Sequence, residues 1–155
     1  LSNLLAYVVI AVSVAAVATG GSALTQSGMA WYATLNLPAF TPPGGTIGMV
    51  WTVIYFLSAV AVMLLWSRRE LYPRFGPLLA LLVLNGLLNV LWCYVFFVAR
   101  QPGLAVLEMI VLNLTTAALI VITWNRQRIV SLLFVPYFAW VCFATYLAAS
   151  IWRMN

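Results

Sequence analysis

The chain has 155 residues, 66% of them hydrophobic and only 6% charged, with a mean hydropathy of +1.10. No water-soluble domain of this length carries such a surface, so the solvent is lipid, and long runs that are apolar on every face exclude a transmembrane barrel of alternating strands. The net charge of +5 comes from arginines that stand singly or in pairs between the runs, which excludes a nucleic-acid surface; the lack of histidine, lysine and aspartate removes most general bases, Schiff-base lysines and zinc ligands.

A bilayer core takes about 20 apolar residues per helix. The chain therefore divides into five spans with short connections, a single all-α domain over residues 1–155. The first run covers residues 4–24. No basic residue precedes it, and its hydrophobicity continues past Ala16-Val17-Ala18 to spanning length, so it reads as a retained helix and not as a cleaved signal. Residues 25–45 form the longest connection. They are rich in Pro, Gly and Thr and uncharged, yet hold Trp31, Tyr32, Leu35, Leu37 and Phe40, more apolar than a solvated linker and suited to a folded lid.

Pro42-Pro43 opens the second helix, because proline suits a helix entrance and not its interior. That helix covers residues 46–66 and ends at Arg68-Arg69-Glu70. Further helices are expected over 76–98, 104–124 and 129–152, and their short connections make sequential helices antiparallel. Arg68, Arg69, Arg74, Arg126 and Arg128 then share the side of the N-terminus, while Arg100 and Arg153 lie opposite. The positive-inside rule puts the N-terminus in the cytoplasm.

Polar and aromatic residues inside the spans fall into stripes. Steps of four, three and four residues bring Asn85, Asn89, Trp92 and Phe96 to one helical face. Carboxamides in hydrocarbon need partners, so this face points into the bundle, either joining helices or meeting a ligand. Trp51, Tyr55 and Ser58 form a second stripe, and Tyr137, Trp140 and Ala144 a third. Trp66, Trp124 and Trp152 lie near span ends, where indoles anchor to the interface. Trp51 and Trp140 lie deeper, opposite Asn89 and beside the small Ala144, which suggests a flat, mostly apolar cavity with a few hydrogen-bond donors. Glu108 is the one acid inside a span; one turn into its helix, it can reach the interface, pair with Arg100, or favour the helix N-terminus. Pro136 removes a backbone hydrogen bond early in the last helix. Cys93 and Cys142 fall mid-span, where thiols act as small apolar groups, so neither a disulfide nor a metal site is expected.

Taken together these residues resemble the translocator protein family, also called tryptophan-rich sensory protein or peripheral benzodiazepine receptor, over nearly the whole chain. Trp31-Tyr32, Leu35, Pro38 and Pro42-Pro43, followed by Trp51 and Tyr55, are similar to the family's W-Y-x-x-L-x-x-P-x-x-x-P-P pattern. Asn89-x-x-Trp92 with Phe96-Phe97, Pro136-Tyr137-x-x-Trp140 with Phe143-Ala144-Thr145, and Asn155 follow in the expected order. Pro-Pro-Gly at 42–44 and Ala-Thr-Tyr-Leu at 144–147 are most similar to bacterial members.

The resemblance implies a five-helix bundle, usually a homodimer in the bacterial cell membrane. It would bind porphyrins, sterols and benzodiazepine-type ligands in a cavity under the first loop. Carried over by position, the ligand site comprises Tyr32, Trp51, Tyr55, Asn89, Trp92, Trp140 and Ala144. Some bacterial relatives degrade protoporphyrin in light, with tryptophans at the positions of Trp51 and Trp140 implicated. Two departures favour a porphyrin over a sterol: Ala148 replaces an asparagine, and six residues separate Tyr146 from Arg153 where the proposed cholesterol motif allows five. Without histidine there is no ordinary axial iron ligand, so metal-free protoporphyrin IX is the expected ligand and no cofactor is required. A transporter of tetrapyrroles or sterols is the alternative; an ATP-driven one is not expected, since nothing resembles a nucleotide site.

Overall fold

The computed structural model describes residues 3–155. It contains α1 (Asn3–Tyr32), α2 (Gly44–Ser67), a short 3₁₀ turn (Arg69–Leu71), α3 (Phe75–Cys93), a π-helical continuation of α3 (Tyr94–Val98), α4 (Pro102–Trp124) and α5 (Arg128–Met154). Five helical segments are long and apolar enough to span a membrane, and the described residues contain no strand. In hydrocarbon every backbone N–H and C=O must be satisfied within its own segment, and helices do this for sequences as apolar as these.

The first helix departs from expectation. It runs to Tyr32 instead of ending near residue 24, so the connection shrinks to residues 33–43. The polar residues that suggested a loop are accommodated within the helix, Ser27 Oγ donating to Leu24 O at 2.7 Å. The shortened connection rests on α5. Phe40 stacks on Tyr146 with centroids 5.4 Å apart, and Asn155 brackets the Asn36 backbone, accepting from its N–H at 2.9 Å and donating to its carbonyl at 3.0 Å.

The tight core lies between α4 and α5. Met109, Leu112, Leu119, Val130 and Val141 are fully buried there, with Thr123 and Ser131 hydroxyls 2.6 Å apart across the connection. By contrast, α1 buries only Ala6, Gly21 and Gly28. Small residues let this helix approach the others at a few points, and the gaps between those points leave room for cavities.

Two local features shape the bundle's ends. At 94–98 the backbone widens to i→i+5 bonding, Ala99 N–H reaching Tyr94 O at 2.9 Å. The wider turn brings the consecutive side chains of Val95, Phe96 and Phe97 all to the interior. At the other end, Arg126 donates to Leu71 O, and Tyr72 donates to Gln127 Oε1 at 3.0 Å, so the 68–74 and 125–128 connections meet. Burial pushes the Tyr72 phenol up, the Arg126 guanidinium opposing, and the hydroxyl stays a donor. The five arginines expected on one side therefore do belong to two adjoining connections.

Candidate functional site

A cavity of about 600 Å³ opens between α1, α2, α3 with its π-helical end, and α5. All seven residues singled out as a ligand set line it: Tyr32, Trp51, Tyr55, Asn89, Trp92, Trp140 and Ala144. Helical spacing explains the assembly. Trp51 and Tyr55 lie one turn apart on α2 and stack at 5.6 Å, while Trp92 stacks on Phe96 at 5.3 Å across the start of the π-helical turn. Trp140 packs at 5.3 Å against Phe143, and small Ala144, one turn on, leaves the space beside them open. Tyr32 and Gly44, the two ends of the first connection, lie at the rim.

The cavity floor is a directed chain of hydrogen bonds. Tyr55 OH donates to Asn89 Oδ1 at 2.8 Å, Asn89 Nδ2 to Tyr137 OH at 2.7 Å, and Tyr137 OH to Asn85 Oδ1 at 3.0 Å. Asn85 Nδ2 then donates to Thr115 and Thr116 at 2.9 and 3.0 Å, and both hydroxyls pass the chain to Leu112 O. Every donor in the chain meets an acceptor, the Asn85 amide meeting two, so four helices are tied together without a buried charge. Asn85 and Asn89 thus serve the joining role. Asn89 also lines the cavity, and its amide has a second hydrogen beyond the one given to Tyr137.

Other donors have no partner. The indole Nε1 atoms of Trp92 and Trp140 are buried and unbonded, although both side chains line the cavity. A buried donor without an acceptor is costly, and neither nitrogen is open to the cavity, which both indoles line with their rings. The walls are otherwise mostly apolar. The site holds no acid–base pair and, among the described residues, no cluster of metal-ligating side chains.

Several lining residues were not legible in advance. Ser22, Thr25 and Gln26 present one polar edge of α1 to the cavity, at the three- and four-residue spacing that would have revealed them had the helix been drawn past residue 24. Cys93 also lines it, its thiol on Asn89 O at 3.6 Å. Cys142 is a separate free thiol on the outer face.

Glu108 lies elsewhere than expected. It neither reaches the interface nor pairs with Arg100: it is buried on the α4 face that carries Ala105, Met109 and Leu112, both carboxyl oxygens lack a hydrogen-bond partner, and it is not on the cavity wall. Replacing it with methionine, of similar volume, removes two unsatisfied atoms from the buried face of α4. Glu108→Met is expected to raise stability by about 1 to 3 kcal/mol, read as a higher thermal midpoint in detergent, with cavity binding unchanged.

Comparison with known proteins assigns this sequence to a family. The sequence profile of the TspO/MBR family matches residues 8–153. The chain is 34% identical over 125 residues to a tryptophan-rich protein TspO of Bacillus cereus, covering 81% of this chain and 80% of that protein. It is 31% identical over 154 residues to a tryptophan-rich protein TspO of Archaeoglobus fulgidus, covering 99% of each. The human translocator protein is 31% identical over 129 residues, covering 83% of this chain and 76% of its own length.

Proposed function

The chain belongs to the TspO/MBR family, and from that premise we propose that it is a membrane receptor for porphyrins, with metal-free protoporphyrin IX as the ligand and benzodiazepine-type molecules as further guests. The observation that carries this reading is the cavity itself. Its volume of about 600 Å³ lies within the usual range for small-molecule sites. Flat indole and phenol faces suit a planar macrocycle. Receptor fits better than carrier because the Tyr55–Asn89–Tyr137 chain closes the floor. The docking of Phe40 on Tyr146 and Phe143 supports a lid role for the first connection. Five arginines at one end support a cytoplasmic N-terminus in a bacterial cell membrane. The homodimer rests on the family resemblance.

Light-dependent degradation of the bound porphyrin is the secondary activity. The excited macrocycle reacts with dioxygen, which adds across a methine C=C; the carbon–carbon bond breaks to leave two carbonyls, so both oxygen atoms are accounted for. Trp51 and Trp140 would lend the excited ring an electron and regain it as the oxygenated product forms, leaving the indoles unchanged over a cycle. The protein's task is to hold and orient the ring.

Titrating the purified protein with protoporphyrin IX while following tryptophan fluorescence, then illuminating in air and recording porphyrin absorbance, tests both statements. Saturable quenching is expected, followed by porphyrin loss that Trp51→Phe or Trp140→Phe abolishes while appreciable binding remains. If the indoles only wall the cavity, affinity and light-driven loss will fall together. Bleaching no faster than that of free porphyrin leaves a passive receptor.

A further inference from the structure

Beyond the hydrogen-bonded floor lies a second cavity, of about 540 Å³, between α1, α2 and α3, with Phe134 and Tyr137 of α5 at its back. Tyr55 and Asn89 line both cavities, so the same polar partition separates them. The chemistry on its two sides differs. The first cavity is walled by opposed indoles and phenyl rings, whereas the second is mostly aliphatic over the length of α2 from Tyr55 to Trp66, an eleven-residue separation that spans roughly 16 Å at 1.5 Å per residue. A long aliphatic slot suits a flexible chain better than a rigid disc.

The far end of the slot is built differently again. Trp66 lines it, with an indole Nε1 that is buried and has no hydrogen-bond partner. The exposed Arg69 guanidinium sits 5.0 Å from the centroid of the Trp66 ring and is held there by donating to Trp66 O at 2.9 Å. Arg68 and Arg74 flank it, and Glu70 is the one acid in that connection. The end of the slot thus has a cation beside the ring that lines it.

We propose that this second cavity binds a long-chain fatty carboxylate, its head at the Arg69–Trp66 rim and its tail extending to the Tyr55–Asn89–Tyr137 partition. The site is distinct from the porphyrin cavity and does not depend on that cavity's ligand. A single chain fits the slot. The head group meets the charge of the guanidinium, which a sterol hydroxyl or a methyl ester cannot match.

The test uses purified protein in phosphatidylcholine nanodiscs and palmitate carrying a mid-chain diazirine, with labelled residues mapped by mass spectrometry. Labelling is expected on the cavity faces of α1 and α3, at Val14 and Val83, and is suppressed by unlabelled palmitate but not by protoporphyrin IX. Two filling variants on different helices, Ser58→Phe and Ser13→Phe, guard against a misfolded mutant. Either one, if folded, is expected to reduce labelling at these positions at least about fivefold, and Arg69→Ala to weaken competition by palmitate about fivefold with no effect on methyl palmitate. Equal labelling at Leu114 and Val121 on the outer face of α4 would reduce the site to ordinary lipid contact. Stronger competition by cholesterol, by phosphatidylglycerol, or by the methyl ester than by palmitate would also overturn the assignment.

Discussion

Replacing Gly28 by valine is expected to destabilise the bundle by about 3 kcal/mol, because this position leaves no room for even a first side-chain carbon. A Cβ built there would stand 2.4 Å from Phe97 O and 2.6 Å from Phe97 Cβ. The obstacle is backbone and cannot rotate away. The π-helical turn that carries Phe97 is itself packed around Trp31, Tyr32 and Trp92. Valine would therefore push α1 outward, loosen the Tyr32–Phe97 contact and open the rim of the first cavity. The measurement is thermal unfolding in detergent beside porphyrin affinity, and both are expected to fall. Gly20→Ala is the control, since nothing lies within 4 Å of a Cβ at Gly20. Alanine there is expected to be neutral or stabilising by about 0.5–1 kcal/mol. Equal behaviour of the two variants would mean that α1 is not seated on the π-helical turn.

Asn89→Ala is expected to lower stability by about 2 kcal/mol, more than it lowers porphyrin affinity. The substitution strips the acceptor from Tyr55 OH and the donor from Tyr137 OH, two bonds of 2.8 and 2.7 Å. Interhelical hydrogen bonds inside membranes average only about 0.6 kcal/mol and reach roughly 1.7. The buried tyrosine oxygens left behind add to that loss. A double-mutant cycle with Tyr137→Phe is expected to show a coupling above about 0.5 kcal/mol, since both residues belong to one chain of bonds. A large loss of affinity with stability unchanged would instead mean that Asn89 acts mainly on the ligand.

Much of this site was legible in the sequence because membrane helices have few degrees of freedom. Once the spans were drawn, helical periodicity alone put Asn85, Asn89 and Trp92 on one face and Trp51 and Tyr55 on another. The order of the spans, joined by short connections, brought those faces together. Three things were hidden. The extension of α1 to Tyr32 was obscured by Gly20, Gly21, Ser22 and Thr25, which break helices in water but not in a solvent that offers the backbone no other partner. The role of Tyr137 as the link between two asparagines depends on where α5 lies beside α3, and periodicity within one helix carries no information on lateral placement. Glu108 was misread for the same reason. Its distance from the helix start suggested an escape to the interface, while the helix's rotation put it on the buried face of α4.

The central claim is that the first cavity is the porphyrin site, and Ala144→Phe tests it most directly. Ala144 is half-buried on the cavity wall, one turn from Trp140, so a phenyl ring there enters the open space without entering the α4–α5 core. With the variant folded, judged by its thermal midpoint and near-ultraviolet dichroism, protoporphyrin IX affinity measured by tryptophan quenching is predicted to fall about tenfold or more, a loss of about 1.4 kcal/mol or greater. A folded Ala144→Phe protein that binds protoporphyrin IX as tightly as the unaltered chain would contradict the assignment and put the porphyrin elsewhere on the molecule.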